Sequence, residues 1–103
     1  MISVTFYKRN NNFLGFKMSG HSDYAEKGYD IVCSAVSSAA FLTANNITDF
    51  FSIKADVTLS DGYMKLTAEP SDNLHRILDG FYQHMLGLEG QYNQDINVKI
   101  SEV

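Results

Sequence analysis

Cys33 is the only cysteine in the chain, and His21 stands upstream of it across a polar segment that ends at Asp30. A thiol and an imidazole held together can do nucleophilic chemistry at a carbonyl: the imidazole takes the thiol proton and later delivers it to the leaving amine. Asp30 is a good helix N-cap, because its carboxylate accepts free amides of the first turn. With Asp30 in that role, Ile31, Val32 and Cys33 are the first three helical positions. Helical side chains lean back toward the amino end. The sulfur then lies near unpaired amides and near the positive pole of the helix dipole, about half an elementary charge, and both favour thiolate over thiol. The backbone amide of Cys33 is a natural oxyanion donor at the same spot.

Each of these residues also has a plainer reading. A cysteine at a helix start can be a small buried hydrophobe, and a histidine after glycine can be a solvated loop residue. Asp30 can cap the helix, orient the imidazole, or do both. Ser37 falls one turn after Cys33, where its hydroxyl can bond the sulfur or bond back to the main chain. Tyr24 can line a substrate cleft or cover the helix end; Tyr29 reads as cover. Gly20 and Gly28 flank the polar segment as hinges, which would let it act as a lid. His75 and His84 read as solvated residues of a second helix. No Cys/His spacing supports a metal site, and no cofactor is expected.

The elements that must position these groups follow from periodicity. Ile2, Val4 and Phe6 alternate with polar neighbours as a strand. Arg9 to Asn12 form a turn, because asparagine tolerates left-handed backbone. Leu14, Phe16 and Met18 return on one face. Val32, Val36, Ala39, Ala40, Thr43, Ile47 and Phe50 mark a helix from Asp30 to Phe51 or Ser52. Ile53, Ala55, Val57 and Leu59 alternate inward, Ser60-Asp61-Gly62 turns, and Met64, Leu66 and Ala68 alternate back. Ser71 or Asp72 caps a second helix with Leu74, Ile77, Leu78, Phe81, Met85, Leu86 and Leu88 as its stripe and Gly90 as its stop. Ile96, Val98 and Ile100 close as a strand. The order strand-strand-helix-strand-strand-helix-strand predicts an α+β domain, a mostly antiparallel sheet with two packed helices.

At 103 residues the chain is expected to be a single domain, residues 1–103. A net charge of -4 disfavours a phosphate backbone as partner and suits basic peptides. The lone cysteine points to the cytoplasm. No basic leader precedes an apolar segment at the amino end, and no apolar run is expected to reach the roughly 20 residues of a membrane helix.

The run from Gly20 to Ser37, GHSDYAEKGYDIVCSAVS, resembles the signature of the ribosomal-processing cysteine protease family of small bacterial proteins. The matching positions are Gly20, His21, Tyr24, Ala25, Gly28, Asp30, Ile31, Val32, Cys33, Ala35, Val36 and Ser37. The resemblance implies a cysteine endopeptidase with Cys33 and His21 as its catalytic pair. It also implies supporting positions at Asp30 and Ser37, and a mobile loop between Gly20 and Gly28. The implied substrate is the N-terminal extension of protein twenty-seven of the large ribosomal subunit, cut after an aromatic residue in an apolar stretch near basic residues. A homodimer is implied as well. Two other readings stand beside it: a non-catalytic, ribosome-associated peptide-binding protein, and a thiol redox sensor. The sensor would lack a resolving thiol within the chain.

Overall fold

The protein is described by a computed structural model covering residues 1–20 and 31–103. Strands β1 (Ile2–Arg9) and β2 (Asn12–Gly20) form a hairpin. Its turn carries positive φ at both Asn10 and Asn11, the paired left-handed geometry that matches strand twist and that asparagine supplies cheaply. Helix α1 (Ile31–Asn45) runs on into a π turn, Asn46–Phe50. Strands β3 (Ala55–Ser60) and β4 (Tyr63–Ala68) follow, then helix α2 (Asp72–Gln91) and strand β5 (Ile96–Glu102). The sheet order is β3-β4-β2-β1-β5. Every neighbouring pair is antiparallel except β1 with β5. This is the expected α+β architecture with one parallel pair, because α2 carries the chain back across the sheet before β5.

Both helices contribute to one apolar core on one face of the sheet. Ile2, Val4, Phe6, Phe16, Met18, Met64, Leu66 and Ile96 meet Val32, Val36, Ala40 and Ile47 of the α1 rod and Leu74, Leu78, Phe81 and Met85 of α2. Phe6 sits at its centre, with ring centroids of Phe13, Phe81 and Tyr82 between 5.1 and 5.7 Å away. Tilted and edge-on pairs of this kind add about 0.5–1.5 kcal/mol each beyond their burial. Among the described residues, no helix packs on the opposite face of the sheet.

Three expectations are corrected here. Register slips between Tyr7 and Lys8, so Tyr7 pairs with Gly15 and Lys8 with Phe13. Leu14 is the extra residue of this bulge; it is buried as well, but Phe13 and not Leu14 joins the core shared with the helices. Gly15 is forced there, since any Cβ would strike the Leu66 carbonyl of β4. Second, Val57 and Leu59 have inward parity but are 46% and 57% exposed. They lie on the edge strand, which the helices do not bury. Third, Phe50 is 79% exposed, because the π turn advances more residues per turn than an α-helix and rotates it off the buried stripe. The rod ends where Ser52 takes positive φ and Ile53 donates back to the Ile47 carbonyl at 2.9 Å.

Helix α2 follows the sequence closely. Ser71 accepts the Leu74 amide as N-cap, and the helix stops one residue past Gly90. His75 differs from its expected solvated role: its Nδ1 accepts the Phe13 amide at 3.0 Å, and its ring stacks on Phe13. The bulge withdraws that amide from strand pairing, and the histidine satisfies it. His84 is exposed. The α1 rod, Ile31–Phe50, is 20 residues long and apolar enough to cross a membrane, contrary to the expectation that no run reaches that length. Its buried stripe packs into the core shared with the sheet, which is how a helix so apolar serves inside a folded domain.

Candidate active site

Helix α1 begins at Ile31, so Cys33 lies in its first turn, as its spacing from Asp30 predicts. The backbone around it is built by two glycines. Gly20 closes β2 with φ +102, donates its amide to the Gly62 carbonyl at 2.9 Å, and pairs with Ile2. A Cβ at Gly20 would also strike the Met1 carbonyl, so glycine is required on both steric and dihedral grounds. Gly62, with φ 67, makes the β3–β4 turn. The end of β2, the β3–β4 turn and the start of α1 thereby come together.

They enclose a cavity of about 180 Å³ lined by Cys33, Ser37 and Gly20 among the described residues. Its apolar wall includes Phe41, Leu59 and Met18, and Asp61 and Tyr63 stand with them. Cys33 is half-buried, so its sulfur is neither sealed in the core nor fully in water. Phe41 is the residue sequence reasoning passed over. Cys33, Ser37 and Phe41 are spaced four apart, so they share one helical face, and that spacing is the signal that could have found it. Leu59 was read as core; the edge position of β3 makes it part of the cavity wall instead.

The cavity suits one extended apolar group beside a thiol at a helix start, where amides and dipole favour developing negative charge. A wider hollow of about 770 Å³, lined by Tyr7, Arg9 and Lys65 among others, lies at the opposite end of the strands and does not include Cys33. Among the described residues no group of three His, Cys, Asp or Glu side chains could hold a metal ion. His21, Tyr24, Gly28, Tyr29 and Asp30 lie outside the described residues.

Comparison with known proteins points the same way as this geometry. A Staphylococcus aureus protein named ribosomal processing cysteine protease Prp is 28% identical over 85 residues, covering 79% of this chain and 80% of its own. A crystal structure of the S. aureus essential ribosomal processing protease Prp, in complex with a covalently linked product peptide, superposes with a TM-score of 0.92 at 26% identity. It covers 98% of this chain and 100% of that one. A second S. aureus Prp structure, in complex with a substrate peptide, gives 0.86 at 25% identity over 98% and 100% of the two chains. Residues 1–97 match the family described as cysteine protease Prp. The match takes in β1, the signature run, the cavity around Cys33 and both helices, and the chain belongs to that family.

Proposed function

We propose that the protein is a cysteine endopeptidase that removes the N-terminal extension of a large-subunit ribosomal protein during ribosome maturation. The observation that carries this reading is Cys33, in the first turn of α1 and facing a cavity with an apolar wall. His21 takes the thiol proton and the sulfur attacks the scissile carbonyl carbon. Amides at the helix start stabilise the oxyanion. Collapse of the tetrahedral intermediate breaks the C–N bond, His21 protonates the leaving amine, and a thioester joins Cys33 to the amino-terminal product. Water, deprotonated by His21, then hydrolyses that thioester and restores the thiol. Asp30 and Ser37 support the pair, and Gly20 and Gly28 serve as hinges of a loop that closes over the peptide.

Phe41 and Leu59 suit an aromatic or aliphatic side chain next to the scissile bond, with Tyr24 at the cleft. Asp61 at the rim suits a basic residue of the same peptide, in keeping with the acidic chain. The covalently linked product peptide of the S. aureus protein fits an acyl-enzyme route. A homodimer in the cytoplasm is part of the proposal. It is supported by the exposed apolar side chains Leu42, Phe50 and Phe51, a surface that water alone does not favour.

The test is mass spectrometry of a ribosomal protein carrying such an extension, incubated with the parent protein, Cys33→Ala and His21→Ala. Cleavage by the parent alone supports the proposal. Binding without cleavage by the parent would identify a peptide-binding module. Peroxide response that persists in His21→Ala, with no cleavage, would identify a redox sensor.

A further inference from the structure

The face of the sheet without helices carries a row of cations. Cross-strand pairing sets Thr58 opposite Lys65, Lys65 opposite Lys17, Lys17 opposite Thr5 and Thr5 opposite Lys99. The row runs across all five strands on the face opposite the core. At about 4.8 Å per strand, Lys65 and Lys99 are about 14 Å apart, with Lys17 between them. Like charges directly opposite one another weaken a sheet. The fold nevertheless keeps Lys17 against Lys65, and among the described residues none of the three lysines forms an ion pair. Lys65 is held over the ring of Tyr7 at 5.4 Å. Arg9 has the same facing, and Asp56, on the edge strand, is among the described residues the one carboxylate whose strand position faces this side.

A chain of net charge -4 therefore presents a basic face, because its described acids other than Asp56 sit elsewhere. Asp49, Asp72, Asp79 and Glu89 are on the helical segments, Asp61, Glu69 and Asp95 are in connections, and Glu102 of β5 stands opposite Lys8, at a position of core-side parity. Parallel to the lysines runs a row of polar residues, Ser19, Ser3 and Asn97, which continues at the β3–β4 turn into Ser60 and Tyr63, residues that also border the Cys33 cavity. At one end the face opens into the hollow that Tyr7, Arg9 and Lys65 line together with Asp56 and Glu69.

We infer that this face binds single-stranded RNA. Lys65, Lys17 and Lys99 neutralise successive phosphates, the hydroxyl and amide row meets ribose 2′-hydroxyls, and Tyr7 offers a ring to a base. The exposed apolar side chains of the α1 rod and β3 belong to the other side of the sheet. An acidic peptide would also satisfy the lysines. It would make no use of the hydroxyl row or of the aromatic ring, and this favours the polynucleotide.

The experiment is fluorescence anisotropy of a labelled twelve-nucleotide uridine RNA titrated with full-length protein at several salt concentrations. With three phosphates neutralised, log affinity against log salt has a slope of about -2. The triple variant Lys17→Gln, Lys65→Gln, Lys99→Gln loses at least about tenfold in affinity and most of the slope. The matching DNA strand binds more weakly than RNA, and the variant still cleaves a short peptide at the parent's rate. Lys99→Gln alone, at an exposed edge-strand position, gives a smaller loss in the same direction and serves if the triple variant misfolds by circular dichroism. No RNA binding by the parent, binding unchanged in the lysine variants, or equal competition by poly-glutamate of the same charge would each overturn the inference.

Discussion

The two helices leave different things at the surface. Helix α2 buries Leu74, Leu78, Phe81 and Met85 and exposes Asp72, Asn73, Arg76, Gln83 and His84. It is capped by Ser71, and Asp72 and Arg76 stand one turn apart at 3.9 Å. Everything it exposes is at home in water. Helix α1 buries Val32, Val36, Ala40, Thr43 and Ala44, yet also exposes Ile31, Phe41 and Leu42, with Phe50 and Phe51 at its end. Folding of one chain gives no reason for that second apolar surface. The contrast separates a scaffold helix from a working helix: α2 is explained by the core, whereas α1 also has to be explained by what it meets.

The largest test of that division is Cys33→Ala. It is expected to lower cleavage of an extension peptide by at least about a thousandfold, while the urea midpoint stays close to the parent's. A large loss of stability would make Cys33 a core residue and erase the contrast. Leu78→Ala should do the reverse, since it is fully buried on α2. It is expected to cost about 2–5 kcal/mol in denaturant unfolding, with any residual folded enzyme cleaving normally. Ser71→Ala removes the cap from the Leu74 amide and should cost about 1 kcal/mol by the same measurement. The pair Phe50→Ser and Phe51→Ser should change monomer stability by no more than about 0.5 kcal/mol each. Together they should shift the protein toward monomer in analytical ultracentrifugation; an unchanged sedimentation profile would remove the dimer from the account of α1. Smallest of all, Asp72→Asn should alter stability by about 0.5 kcal/mol or less, because its ion pair with Arg76 is exposed.

Much of the scaffold was readable in advance. The left-handed pair Asn10 and Asn11, the Asp61-Gly62 turn and the Ser71 cap each depend on a residue's own backbone preference and its next few neighbours. Cys33 in a first helical turn is legible for the same reason. Leu14 was misplaced because a bulge changes parity without changing composition, and only the close approach of β2 to β4 at Gly15 reveals it. His75 was misread because its partner, the Phe13 amide, belongs to a distant strand. Val57 and Leu59 alternate as a buried strand would, and alternation carries no information about whether a helix lies above.

The sequence by itself determined the order of elements, their turns and the placing of a thiol at a helix start. Those depend on periodicity and local backbone energetics, which act over a few residues. Tertiary structure alone decided that β3 is an uncovered edge and that Phe41 and Leu59 wall the Cys33 cavity. It also decided that three lysines scattered along the chain line up across one face. Each of these depends on strand order and register, set by contacts between segments far apart in the chain, and no local pattern encodes them.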